Sequence, residues 1–282
     1  MIIRDILGTR MKTYYEKIPK TKLMRRTPVA IRIDGKAFHT FTRGFQKPFD
    51  EILIKSMQQT MLYLCENIQG CVLGYTQSDE ITLILQDYKT LTTAAWFDYE
   101  VQKICSISAS MATMIFNQKL HENVRHWCDE NELSTIRYFN EDKPVELKQL
   151  YETYWNAVHK GAMFDARCFN IPKEEVTNLV YWRQLDAARN SVQMIGQVYF
   201  SHKELQNKSC SDIQDMLMER YNINWNDFPT TQKRGSCAVR EIIQDPKDGA
   251  YPRAAWIIDN EIPQFKGEGR EYIEKLIYFE EE

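Results

Sequence analysis

The chain reads PVAIRIDGKAFHTF over residues 28–41. Val29, Ile31 and Ile33 alternate with Ala30 and Arg32, which predicts a buried strand, and Asp34-Gly35 breaks it. Working outward, Asp50 is placed to cap a helix over 50–68, with Ile54, Met57, Met61, Leu64, Cys65 and Ile68 at helical spacing. CVLGYT (71–76), QSDE (77–80) and ITLIL (81–85) then read as strand, polar turn and strand. A long helix is expected from about 93 to 120, and DARCFNI (165–171) supplies a further strand that Pro172 ends. The order over residues 28–171 is β-α-β-β-α-β, the ferredoxin-like split βαβ arrangement of an α+β two-layer fold.

Around that core, residues 1–18 are expected to form an amphipathic helix, with Ile6, Met11 and Tyr14-Tyr15 on one side, and a basic connector follows to residue 27. Residues 121–160 are polar and read as an irregular, partly helical surface insertion. The region 172–282 is expected to pack on the core, with a helix over 174–200, a shorter one over 209–222 and a hairpin from KRGSCAVREII (233–243) and RAAWIID (253–259).

Composition narrows the setting. The 282 residues are 43% hydrophobic and 27% charged, ordinary for a globular protein large enough to bury a substantial core. The first residues carry charges throughout and no apolar stretch is long enough to span a membrane, so a cytoplasmic protein is expected. Seven cysteines lie singly and none forms a CxxC pair, which reads as free thiols; His121, His126 and Cys128 do not make up the four-ligand pattern of structural zinc. The net charge of −3 argues against a general nucleic-acid coat protein. Lys17, Lys20, Lys22, Arg25 and Arg26 nonetheless form a local basic run, either a phosphate-binding face or a solvated segment.

The chemistry lies in the strand ends. In a split βαβ sheet the first strand and the central hairpin lie side by side, so Asp34 and Asp79 can converge on one rim. Two carboxylates there suit a hard cation such as Mg²⁺ and leave positions for triphosphate oxygens; two such ions can serve a phosphoryl displacement. Glu80 adds a third carboxylate, as ligand or as support. Gly35 lets its backbone approach a metal or phosphate closely, and the amides of residues 35–39 can cradle a triphosphate. Phe38 and His39 are candidates to touch base or sugar, with core packing as the alternative for Phe38.

IRIDGKAFHTF…KPFD, GYTQSDEITLIL, FDARCF and YWRQLDAARNS together resemble the tRNA-His guanylyltransferase family, which includes the Thg1-like reverse (3′-to-5′) polymerases. The resemblance covers about residues 28–235. It implies a polymerase-like palm using two Mg²⁺ ions, with Asp34, Asp79 and the carbonyl of Gly35 at the metals and Asp34 and Asp79 catalytic together with Glu80. It further implies that Asp34, Gly35, Lys36, Ala37, Phe38 and His39 line the nucleotide with Ser78 and Asp79, and that Lys47 and Lys103 lie near its phosphates. Where the eukaryotic guanylyltransferases have His-Ile-Asn-Asn after WRQ, this chain has Ala188, Arg189, Asn190 and Ser191. That departure resembles the Thg1-like branch, so the implied activity is templated 3′-to-5′ repair of 5′-truncated tRNA using ATP, GTP and other NTPs. Arg189, Asn190, Lys233 and Arg234 are the candidate RNA contacts, and a homotetramer (a dimer of dimers) is implied. The alternatives are addition of guanylate at position −1 of tRNA-His, a palm-type nucleotidyl cyclase, and a non-catalytic RNA-binding protein.

Overall fold

The computed structural model describes residues 6–133, 144–243 and 253–278. Strands β1 (Val29–Gly35), β2 (Cys71–Gln77), β3 (Glu80–Leu85), β4 (Phe164–Asn170), β5 (Ser236–Ile243) and β6 (Arg253–Asp259) form one sheet in the order β4-β1-β3-β2-β5-β6. Every neighbouring pair is antiparallel. The first four strands in space are the split βαβ order expected from the sequence, in a mixed α+β chain. Helices are α1 (Ile6–Met11), α2 (Phe38–Phe41), α3 (Glu51–Asn67), α4 (Val101–Glu130), α5 (Val145–Lys160), α6 (Lys173–Tyr199), α7 (His202–Leu205), α8 (Cys210–Tyr221), α9 (Thr230–Arg234) and α10 (Glu271–Ile277). Among the described residues no helix is long and apolar enough to cross a membrane.

Strand alternation divides the core into two layers. Val29, Ile31 and Ile33 join Ile81, Leu83 and Leu85 against Met57, Met61 and Leu64 of α3 and Ile104, Ala112 and Phe116 of α4. Ala30, Leu73, Tyr75, Ile84 and Cys237 point the other way, against Val176 and Val180 of α6 and Ile273 and Ile277 of α10. The helix on α3 starts where expected: the Asp50 side chain accepts from the N–H of Leu53 at 2.9 Å. Its second carboxylate oxygen accepts from Tyr154 Oη at 2.7 Å, which ties α5 to the same cap.

Three expectations are corrected. The described parts of residues 121–160 are helical and partly buried rather than an irregular surface insertion. Residues 121–130 continue α4, whose Leu120, Val124 and Cys128 recur at four-residue spacing and are buried among otherwise polar residues. α5 buries Tyr154 and Ala157 in the same core; residues 134–143 lie outside the described residues. The C-terminal hairpin does not merely pack on the palm-like sheet but extends it, through the register Gly74↔Ala238, Tyr75↔Cys237 and Thr76↔Ser236. Gly235 makes that entry possible, because its φ is +81° and a Cβ there would lie 2.3 Å from the Thr76 carbonyl oxygen.

The third concerns the basic run. Arg25 Nε lies 2.5 Å from the buried carboxylate of Asp87, the N–H of Arg26 donates to the same carboxylate at 2.9 Å, and Lys22 pairs with Asp98. Lys20 lies between Glu16 and Glu100. Lys20, Lys22, Arg25 and Arg26 thus bind the connector to the chain's own acids, so they offer little free charge to a phosphate.

Candidate active site at the carboxylate rim

The register of β1 brings the acids together. Asp34 is opposite Glu80 of β3 on one side and Asp165 of β4 on the other. Residues directly opposite in an antiparallel ladder share a face, so all three lie on the α6 side with Arg32. The N–H of Gly35 donates to the carbonyl of Asp79 at 3.1 Å, tying the β2–β3 turn to the end of β1. Asp34 and Asp79 therefore occupy one rim. Ser78 holds a left-handed φ of 49° in that turn, and its hydroxyl donates to the Asp79 carboxylate at 3.0 Å. Burial pushes the Asp79 carboxyl above its ordinary range, against its hydrogen bonds, and the charges of Asp34 and Glu80 push it further.

Glu80 is engaged elsewhere. Its carboxylate takes Arg32 Nη2 at 2.8 Å and Arg183 Nη2 at 2.8 Å, while Arg183 Nε lies 2.8 Å from Oε1 without the alignment of a hydrogen bond. All three side chains are less than a fifth exposed. Arg183 continues to Asp186 at 2.8 Å, and Arg189 pairs with Asp186 from outside. Burial would raise the Asp186 carboxyl, but Arg189 and Arg183 outweigh it and hold it below its ordinary range. Trp182, 49% exposed, covers both guanidinium groups at 5.3 and 4.4 Å from its ring centre. Of the two roles open to Glu80, this geometry fits support: it locks β1, β3 and α6 together behind Asp34.

The 35–39 segment divides by side chain. Lys36, Ala37 and His39 are exposed, whereas Phe38 is 4% exposed and packs on Phe41, Phe116 and Phe164. Phe38 is therefore core, and only its backbone can line the rim. Ala37 takes a left-handed φ of 54°, turning the chain into α2. Among the described residues the amides of Ala37, Phe38 and His39 have no hydrogen-bond acceptor, leaving them available to an anion. Gly35 has a steric reason as well: a Cβ there would stand 2.2 Å from a Phe38 ring carbon. Because that ring is wedged among three others, Gly35→Ala is expected to cost about 1–3 kcal/mol of stability, read as a lower urea midpoint at unchanged slope.

The remaining expected site residues separate. A narrow cavity of about 80 Å³ adjoins the turn, lined by Gln77, Ser78, Asn190, Ser191, Thr231 and Gln232 over an apolar floor that includes Leu53 and Ile54. Asn190 thus faces the rim, while the neighbouring Arg189 faces Asp186. Lys47 lines a different cavity, beside the C-terminal half of α6. Lys103 lies near the opposite end of the sheet. It is ten residues before Thr113, the α4 residue that meets the start of β4, or about 15 Å along the helix. It pairs with Glu100 there, so within one chain it is too far to meet phosphates held at Asp34. Lys233 is 7% exposed, bonded to the carbonyl of Asn226 and stacked on Trp225, and burial holds its pKa down; it is no RNA contact. Arg234 keeps a guanidinium with no ion pair among the described residues, and its buried Nε has no hydrogen-bond partner.

Sequence reasoning assigned no role to Arg32, Arg183 or Asp165. One signal was present: an arginine among the inward positions of an apolar strand demands a buried acid. The rim also fits a metal of one kind. Its donors are the carboxylates of Asp34 and Asp79 and backbone carbonyls, all hard oxygens, and burial, with the charges of Asp34 and Glu80 behind it, raises the Asp79 carboxyl. Among the described residues no group of three or more His, Cys, Asp or Glu side chains is placed to hold a metal by itself.

Comparison with known proteins gives a consistent group. Residues 8–172 match the family model described as tRNAHis guanylyltransferase. A bacterial tRNA(His) guanylyltransferase (Thg1)-like protein solved in complex with ATP is similar with a TM-score of 0.75 and 41% identity, covering 96% of this chain and 99% of that one. A bacterial Thg1-like protein in complex with GTP matches with a TM-score of 0.75 and 37% identity, covering 98% and 100%. The tRNA(His) guanylyltransferase of Saccharomyces cerevisiae is 26% identical over 227 residues, 76% of this chain and 82% of the yeast protein.

Proposed function

Because the chain belongs to the tRNA(His) guanylyltransferase family of nucleotidyltransferases, we propose that it repairs 5′-truncated tRNA by template-dependent 3′-to-5′ nucleotide addition. The observation that carries this reading is the junction of Asp34 and Asp79 on one rim, tied by the bond from Gly35 to the Asp79 carbonyl. In the first stage the 5′-phosphate of the RNA attacks the α-phosphorus of ATP and pyrophosphate leaves. In the second, the 3′-hydroxyl of an incoming NTP attacks the activated 5′-phosphate and AMP leaves. A 5′-triphosphate makes the first stage unnecessary.

Asp34, Asp79 and the Gly35 carbonyl would hold two Mg²⁺ ions, which when bound supply Lewis-acid stabilisation of the attacking and leaving oxygens. The residues of the chain do the rest. The unpaired amides at 37–39, with Lys36 and Ser78, receive the triphosphate; Asn190, Gln77 and Gln232 border the adjoining cavity. The base to be added is chosen by pairing with the opposite strand. Arg234 supplies positive charge for the RNA beside the hairpin that carries Asp79. ATP and GTP, seen on the two bacterial neighbours, are the nucleotides proposed for this chain. The exposed Ile6, Leu7, Met11, Tyr14 and Tyr15 of the N-terminal segment support assembly into a homotetramer, and the protein is proposed to work in the cytoplasm.

The test is nucleotide addition to a panel of 5′-truncated tRNAs with each NTP singly. The expected product carries the complement of the template base, and changing that base changes the nucleotide added. Guanylate added whatever the template base, or a cyclic product from NTP alone, would overturn the proposal.

A further inference from the structure

A cavity of about 420 Å³ with no role in the site described above lies beside the C-terminal half of α6, within the size range of small-molecule sites. Its walls carry Lys47, His202 and Lys208 and the amides of Gln193, Gln197 and Gln206, above Phe200, Leu205 and Ile213. Among the described residues no Asp or Glu lines it; Glu204 and Asp212, each next to a lining residue in sequence, are taken up by Ser201 and Arg220 (2.7 Å) and by the N–H and hydroxyl of Ser209. The cavity shares two walls with the narrow one beside Ser78. Residues 47–49 give Lys47 to the larger and Phe49 to the smaller; α6 gives Gln193 and Gln197 to the larger, Asn190 and Met194 to the smaller. Along α6 their wall residues are offset by about one helical turn.

We propose that this cavity binds one unpaired nucleotide of the RNA substrate, with its phosphate on Lys47 and Lys208 and its base edge on the glutamine amides. The inference rests on the tRNA-end nucleotidyltransferase reading given above. A phosphodiester carries one negative charge and needs no metal, which matches cations without carboxylates. A triphosphate travels with Mg²⁺ and prefers a site with acidic oxygens, such as the rim. Glutamine side chains offer both donor and acceptor to a base, but only an unpaired base leaves that edge open. Phe200 and Ile213, 6% and 2% exposed, give the base an apolar floor.

The test uses the full chain with three probes: a 5′-truncated tRNA, an unpaired RNA hexamer and Mg-ATP. Lys208→Ala should raise the Kd for both RNAs about 3- to 10-fold near 0.1 M salt and lower the slope of log K against log salt by about 0.7, the mark of one lost phosphate contact on a single strand. Gln197→Ala should raise both Kd values without changing the slope, and Mg-ATP binding should stay unchanged in both variants. RNA affinity and slope unchanged in both variants would overturn the proposal, as would a matching loss of Mg-ATP affinity, which would make the cavity a mononucleotide site. If the wild-type protein extends no tRNA, the parent reading fails, and hexamer binding still decides the cavity separately.

Discussion

Asp34→Asn and Asp79→Asn are each expected to lower nucleotide addition by roughly 10²–10³-fold or more, the scale seen when a group that stabilises transition-state charge is removed, while the protein stays folded. For Asp79→Asn the stability change should run opposite to the activity change. The folded-state pKa of Asp79 lies above its ordinary value because burial, and then the charges of Asp34 and Glu80, penalise its ionised form. A carboxyl raised in this way contributes stability only below its unfolded pKa, and loses it as pH rises through the folded value. At neutral pH the ionised Asp79 therefore works against the fold. Asp79→Asn should raise the melting temperature of the metal-free protein at pH 7, with the gain fading as pH falls through the raised value toward the ordinary carboxylate range. Adding Mg²⁺ should raise the melting temperature of the wild type, less so on acidification, and leave both variants unmoved. Wild-type activity in both variants, or an Mg²⁺ response that survives in both, would remove the rim from the mechanism.

Glu80→Ala should be the most damaging single change to stability among the rim residues. It leaves Arg183, 7% exposed at the side chain, and Arg32, 17% exposed, facing each other without their shared carboxylate. Breaking a buried pair by removing one partner costs about 3–5 kcal/mol, whereas replacing the pair with apolar groups of similar size is often neutral. The double variant Glu80→Leu with Arg183→Met should therefore recover much of what Glu80→Ala loses, and a double-mutant cycle by urea unfolding would report the coupling. The competing reading, in which Glu80 is a metal ligand, predicts the reverse: a loss below about 1 kcal/mol together with a weakened Mg²⁺ response. Trp182 bears on the outcome, because its indole covers both arginines and keeps water from them.

How much of this was legible in advance depends on whether the signal was local. Asp50 as a helix cap, the break of β1 at Asp34-Gly35 and the turn at Ser78-Asp79 all follow from a few adjacent residues, and each stands where the sequence places it. Phe38 was harder. Its identity suits a base contact as well as the commoner core position, and the rings of Phe41, Phe116 and Phe164 around it settle the matter. Residues 121–130 misled because seven of the ten are polar; the buried Val124 and Cys128 are too few to show a stripe without their partners. The lysines misled for a different reason. Lys103 and Lys233 carry the same charge wherever they stand, and sequence gives no distance: the first sits toward the far end of the sheet, the second under Trp225.

By itself, then, the sequence determined the order of the strands and helices α3 and α4 around the catalytic-core region, the strand-end and turn positions of Asp34 and Asp79, and the family resemblance, because hydrophobic period, turn chemistry and motif spacing are written in neighbouring residues. Tertiary structure alone decided what surrounds those aspartates. Register set Asp34 opposite both Glu80 and Asp165, α6 swung Arg183 onto Glu80 from 103 positions away in the chain, and the packing of α6 against the 47–49 segment opened the cavity that Lys47 lines. Those relations depend on pairing between distant segments, and no local pattern carries them.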